Sequence, residues 1–127
     1  MARVFLGVSA LVWFGYGAYC FMQPSYLGDA AGVTAASSTG IVELRAMYGG
    51  LQMAIGALAA AGLLRVSLER PAVIALGFLC VGLGSTRLVA ALGAADSSVY
   101  TVGAVMFELG CAAIAARILT GGAVASQ

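Results

Sequence analysis

The sequence predicts an all-α integral membrane protein, an antiparallel bundle of four transmembrane helices with both termini cytoplasmic. Three observations point there. Hydrophobic residues make up 62% of the chain and charged residues 9%, far from the balance of a soluble domain. Four apolar stretches of about 19–25 residues are each long enough to cross a hydrocarbon core of ~30 Å. The flanking arginines also divide cleanly: Arg3, Arg65, Arg70 and Arg117 fall at one end of the four-helix pattern, Asp29 and Asp96 at the other. By the positive-inside rule the arginine end is cytoplasmic.

The 127 residues read as a single domain, 1–127. The first helix is expected at about 4–22. Its apolar run exceeds a signal-peptide core and has no small-x-small cleavage pattern near its end, so it reads as a retained span. Tyr19 suits the interfacial aromatic belt, whereas Trp13 and Tyr16 lie deeper and pack inward. Pro24 stops the helix. Tyr26 and Leu27 are assigned to the bilayer surface, and Gly28, Asp29, Gly32 and Ser37-Ser38-Thr39 to loop and cap chemistry. The second helix is expected at about 40–64 and ends at Arg65. Residues 65–71 form a turn that places Pro71 at the first position of the third helix, about 72–94. Asp96, Ser97 and Ser98 supply caps for the fourth, about 99–119, and the glycine-rich tail from Gly121 should fray.

Ionisable side chains inside such spans cost roughly 2.5–3.5 kcal/mol each at a helix centre, so they require partners. Arg87 and Glu108 lie almost symmetrically about the turn near Asp96–Ser97 and therefore at one depth. Each sits on a stripe of small residues: Gly77, Cys80, Gly84, Arg87 and Ala91 on the third helix, and Thr101, Ala104, Glu108, Cys111 and Ala115 on the fourth. A close-packed interface closed by a salt bridge is expected. On the second helix Arg45, Tyr48, Gly49, Gln52 and Gly56 share a face, with Glu43 nearly opposite. The reading is a four-charge network in which Arg45 reaches Glu108, a phenol or a carbonyl, and Glu43 approaches Arg87. Gly49, Gly50 and Gly56 admit the first helix through Gly7, Ala10 and Gly17.

The stretch Glu43-Leu44-Arg45-Ala46-Met47-Tyr48-Gly49-Gly50, followed by Arg87 and Glu108, resembles the hallmark of a domain-of-unknown-function family of small bacterial four-helix membrane proteins. The resemblance covers nearly the whole chain. It implies a four-helix integral membrane bundle in a bacterial inner membrane and carries no activity. A looser similarity to small four-helix membrane enzymes of the eicosanoid and glutathione type rests on helix count and buried Glu and Arg; their longer arginine-rich glutathione pattern is missing.

Other classes find little support. Scattered arginines and a net charge of +1 form no basic patch for nucleic acid. No histidine is present, and Cys20, Cys80 and Cys111 are dispersed in apolar runs, so neither a metal site, a cofactor nor a disulfide framework is expected. The polar centre (Glu43, Arg45, Tyr48, Gln52, Arg87 and Glu108) reads either as a structural lock or as a functional cavity. The role favoured by the sequence is a non-catalytic accessory or scaffold subunit, self-associating or docked on a larger membrane complex. The alternative is an enzyme or binder for a lipophilic small molecule. There Glu108 or Glu43 would act as acid/base, Arg87 or Arg45 as an oxyanion clamp and Tyr48 as proton donor. A proton- or solute-linked carrier ranks below both, because no pair of broken helices is evident.

Overall fold

In the computed structural model, which describes residues 1–121, every regular element is helical. Helix α1 spans Ala2–Met22, α2 Tyr26–Ala31 and α3 Ser38–Leu44. A π-helical turn, Arg45–Gly50, leads into α4, Leu51–Leu64; α5 spans Val66–Ala94 and α6 Val99–Gly121. Four helical stretches are long and apolar enough to cross a membrane: α1, the continuous run Ser38–Leu64, α5 and α6. Helix α1 packs along α4, α4 against α5, and α5 along α6, while α1 and α6 touch only sparsely. The bundle therefore has one loose seam. Its core includes Leu6, Trp13, Ile55, Ala59, Val73, Leu76, Cys80 and Ala115. Large apolar side chains such as Leu11, Phe78, Val89 and Met106 point outward, where lipid is the solvent.

Local chemistry accounts for the ends. The Gln23 amide bonds back to the Tyr19 carbonyl at 2.8 Å, and Pro24 permits no continuation. The next residues are a short helix rather than a surface loop. Leu27 is fully buried, not spread on the bilayer, and Tyr26 stands edge-on to Tyr19 at 5.0 Å. Gly32, at φ 67°, ends α2 in the left-handed conformation. The Val33 amide reaches the Leu27 carbonyl and the Gly32 amide that of Gly28, a Schellman closure. Ser37 caps α3 by accepting from the Gly40 amide at 3.1 Å. Ser98 does the same for α6 through the Thr101 amide at 3.3 Å. The tail beyond Gly121, expected to fray, lies outside the described residues.

Two expectations about the helices change. The turn anticipated over 65–71 shrinks to Arg65, and α5 begins at Val66 with Pro71 inside it. The proline removes one backbone bond in the second turn, at the end of the bundle where water can satisfy the freed carbonyl. The second span is also not a regular α-helix. The Leu51 amide bonds to the Ala46 carbonyl five residues back, so the turn over Arg45–Gly50 is widened.

Small residues decide how closely the helices approach. A β-carbon built on Gly17 falls 2.6 Å from the Met53 amide nitrogen and 2.7 Å from the Gly49 carbonyl oxygen. One on Gly49 meets the Phe21 side chain, and one on Gly56 meets the Phe14 backbone. On the other side of the bundle Gly84 lies under Leu109 and the Glu108 β-carbon, and Gly77 faces Ala115 at 3.2 Å. Gly50 is different. A β-carbon there meets only the Arg45 carbonyl of its own span, at 3.9 Å, so it packs against no neighbouring helix. Gly62, which the sequence reading passed over, sets the α4–α5 corner against Ala72.

Candidate functional site

The small-residue seam of α5 and α6 brings Arg87 and Glu108 to one level, as the turn geometry requires. The guanidinium holds the carboxylate in a two-pronged grip: Nε donates to Oε2 at 3.0 Å and Nη2 to Oε1 at 2.8 Å. Glu108 is 4% exposed, and the Arg87 side chain 31%. The pair is thus sunk at its acid and open at its base. Such bidentate pairing fixes geometry as well as charge.

The other two charges lie elsewhere. Glu43 and Arg45 are both exposed, and the Arg45 guanidinium sits 5.8 Å from the centre of the Phe21 ring on α1. Its partner is an aromatic face, not Glu108, a phenol or a carbonyl. Glu43 makes no ion pair with Arg87. The expected four-charge network therefore reduces, among the described residues, to one buried salt bridge. Two causes combine: Arg87 is already held by Glu108 through two nitrogens, and the widened turn re-aims the face that straight α-helical spacing assigned to Arg45.

Tyr48 and Gln52 do join the pair. With Arg87 and Glu108 they line a cavity of about 360 Å³ to which all four spans contribute. Its walls are apolar: Leu83 from α5, Trp13 from α1, and Gly103, Ala104 and Phe107 from α6. Trp13 and Phe107 lean on each other at 5.7 Å across the loose α1–α6 seam. Nearer the α5–α6 turn, Tyr16 and Tyr100 bridge the same seam through their hydroxyls, 3.0 Å apart. Val12, Val99 and Gly103, all exposed, mark where the cavity opens sideways between α1 and α6.

Above this chamber lies a second, more polar cavity of about 450 Å³, roofed by residues 30–33 and lined by Asp96, Ser98 and Thr101. Tyr48, Arg87 and Tyr100 belong to both. Outside the spans, Asp96 accepts from the Thr101 hydroxyl at 2.6 Å and from the Ser98 amide at 2.9 Å. These bonds hold its carboxyl below the ordinary carboxylate range, the Thr101 hydroxyl contributing most.

Among the described residues two buried side-chain polar atoms have no hydrogen-bond partner, the Trp13 indole Nε1 and the Gln52 amide Oε1. Both side chains line the chamber. The two atoms themselves are closed off by their neighbours; the neutralised ion pair with Tyr16, Tyr48 and Tyr100 makes the polar end of an otherwise greasy hollow. The sequence reading named Tyr48, Gln52, Arg87 and Glu108 but placed Trp13 and Tyr16 in the packing and missed Tyr100 and Phe107. A signal was available: Tyr100, Gly103, Ala104, Phe107 and Glu108 fall at i, i+3, i+4, i+7 and i+8, one helical face.

The model of a family described as a domain of unknown function (DUF4345) matches residues 1–119. No curated protein and no solved structure matches the chain.

Proposed function

The chain belongs to that domain-of-unknown-function family, DUF4345, and from this premise we propose that it is a membrane binder of a lipophilic small molecule with a polar head. The observation that carries the reading is the chamber itself, about 360 Å³ in volume beside the buried Arg87–Glu108 pair. All four spans contribute to its walls, which are mainly apolar with a few polar side chains, the usual make-up of a ligand pocket. The volume lies within the usual range of ligand pockets, roughly 300–1,000 Å³. Entry is from the bilayer, through the seam flanked by Val12, Val99 and Gly103. Binding is favoured over acid–base chemistry because both Glu108 oxygens are engaged by Arg87. The pair presents a dipole rather than a free acid. The expected setting is a bacterial inner membrane with the arginine end inside.

Trp13 is the sole tryptophan, so its fluorescence reports on the chamber. An amphiphile carrying bromine in mid-chain should quench it saturably in bicelles, and Ala104→Phe, which fills the hollow, should abolish that quenching. Quenching that never saturates, or that survives Ala104→Phe unchanged, overturns the proposal.

An accessory role has one observation of its own. A lipid-facing groove between α1 and α4 is floored by Gly7, Gly15, Ala57, Ala60 and Ala61, small residues of the kind that let another helix approach. Comigration with itself or a larger membrane complex in mild detergent is the expected result there, and a lone monomer counts against it.

A further inference from the structure

The chamber and the polar cavity above it meet at three side chains, Tyr48, Arg87 and Tyr100. What a head group finds at that junction depends on which polar atoms are both unspent and open. Glu108 is not among them: both its oxygens accept from Arg87, and the residue is 4% exposed. Arg87 spends Nε and Nη2 on that grip and keeps Nη1. Among the described residues Nη1 and the Tyr48 hydroxyl make no hydrogen bond, and neither is closed off as the Trp13 and Gln52 atoms are. Tyr48 also stands close enough to the guanidinium to act on it electrostatically. It belongs to the widened turn Arg45–Gly50, an irregularity that helices often carry at functional sites. The Tyr16 and Tyr100 hydroxyls, by contrast, are occupied with each other.

The open set is therefore rich in donors. Nη1 carries two N–H groups and accepts nothing, and the phenol adds an O–H. An occupant gains by bringing an acceptor oxygen. Charge narrows the choice further. Across the two cavities one lining arginine stands against two carboxylates, Glu108 and Asp96, so an anion meets no unspent positive charge. A cation meets the open edge of the guanidinium, and the Asp96 oxygens already accept from Ser98 and Thr101. An ion left without a partner between apolar walls is strongly disfavoured.

We infer that the junction binds the carbonyl of an uncharged lipid, an ester or a quinone, whose apolar part fills the chamber and runs out between α1 and α6. The inference rests on the binding reading above and adds the head-group chemistry. Arg87 Nη1 and the Tyr48 hydroxyl both donate to the carbonyl oxygen, which has two lone pairs to receive them. Arg87 thus has two duties: two of its nitrogens hold α6 through Glu108, and the third meets the ligand.

The test uses the full chain in alkyl maltoside micelles, which contain no carbonyl, and reads Trp13 fluorescence. Three probes share one mid-chain-brominated stearyl-length tail: a methyl ester, the bare hydrocarbon and a sulfonate. The ester should half-quench at about tenfold lower concentration than the hydrocarbon, the gain from one buried hydrogen bond. The sulfonate should bind more weakly than the ester. Tyr48→Phe should bring the ester several-fold closer to the hydrocarbon and leave the hydrocarbon where it was. The wild-type comparison stands without that variant, so a misfolded Tyr48→Phe leaves the answer intact. Equal half-quenching by ester and hydrocarbon in the wild type, or tightest binding of the sulfonate, overturns the head-group assignment while the binding reading survives. An ester preference unchanged in folded Tyr48→Phe overturns it as well. No saturable quenching by any probe brings down both readings. A decyl benzoquinone, itself a quencher of tryptophan, separates the two sources: saturation below the methyl ester's range assigns the carbonyl to a quinone, and saturation above it to an ester.

Discussion

Arg87 grips Glu108 along two parallel bonds of 3.0 and 2.8 Å, and in doing so ties α5 to α6 at the level of the chamber. The acid is buried and the base is partly open to the polar cavity. This asymmetry decides what a substitution does: losing the arginine strands a charge in the core, whereas losing both removes the need for either.

Arg87→Met should therefore lower stability by about 3–5 kcal/mol, the range for orphaning one member of a buried pair. The double variant Arg87→Met/Glu108→Leu should recover most of that loss. Unfolding titrations in mixed micelles, arranged as a double-mutant cycle, read the difference. Additive losses would mean that the two side chains do not depend on one another.

Gly17 should tolerate no side chain. Its β-carbon would collide with the backbone of α4, so Gly17→Ala must push α1 away and should cost about 1–3 kcal/mol. Gly50→Ala, whose β-carbon would meet only the Arg45 carbonyl of its own span within 4 Å, should be neutral or slightly stabilising, since alanine is the better helix former. Melting of the two variants side by side checks this. Equal losses would remove the distinction between a packing glycine and a merely helical one.

Ala95 ends α5 at φ 53°, the left-handed region, with the Asp96 amide bonded to the Ala91 carbonyl at 2.9 Å. A residue with a β-carbon pays for that conformation and glycine does not, so Ala95→Gly should stabilise by about 1 kcal/mol. A rise in melting temperature confirms it; a fall shows that the strain is absent.

Asp96 provides a pH test. Hydrogen bonds from Thr101 and Ser98 hold its carboxyl below the ordinary value. A group depressed on folding adds stability above its unfolded pKa, and that stability is lost as pH falls through the folded value. The stability gap between wild type and Asp96→Asn should thus be fullest near neutrality and close on the acid side of the carboxylate range. A gap that is independent of pH would show that the Thr101 and Ser98 bonds do not favour the charged form. Asp96 is fully exposed, so the effect is modest in size.

What the linear chain determined is whatever adds up locally. Each span follows from the transfer of its own residues into lipid, and the Arg87–Glu108 pairing follows because a tight turn sets two helices antiparallel at known depth. Caps at Ser37 and Ser98 and the stop at Pro24 are likewise written within a few residues. The tertiary structure alone decided the rest. Uniform helical spacing breaks at the widened turn Arg45–Gly50, so Glu43 and Arg45 leave the centre while Tyr48 and Gln52 remain. The hollow beside Trp13 is legible in no single segment. A void is the space left over when side chains of four helices fail to meet, and no periodicity along one helix records where its neighbours stop.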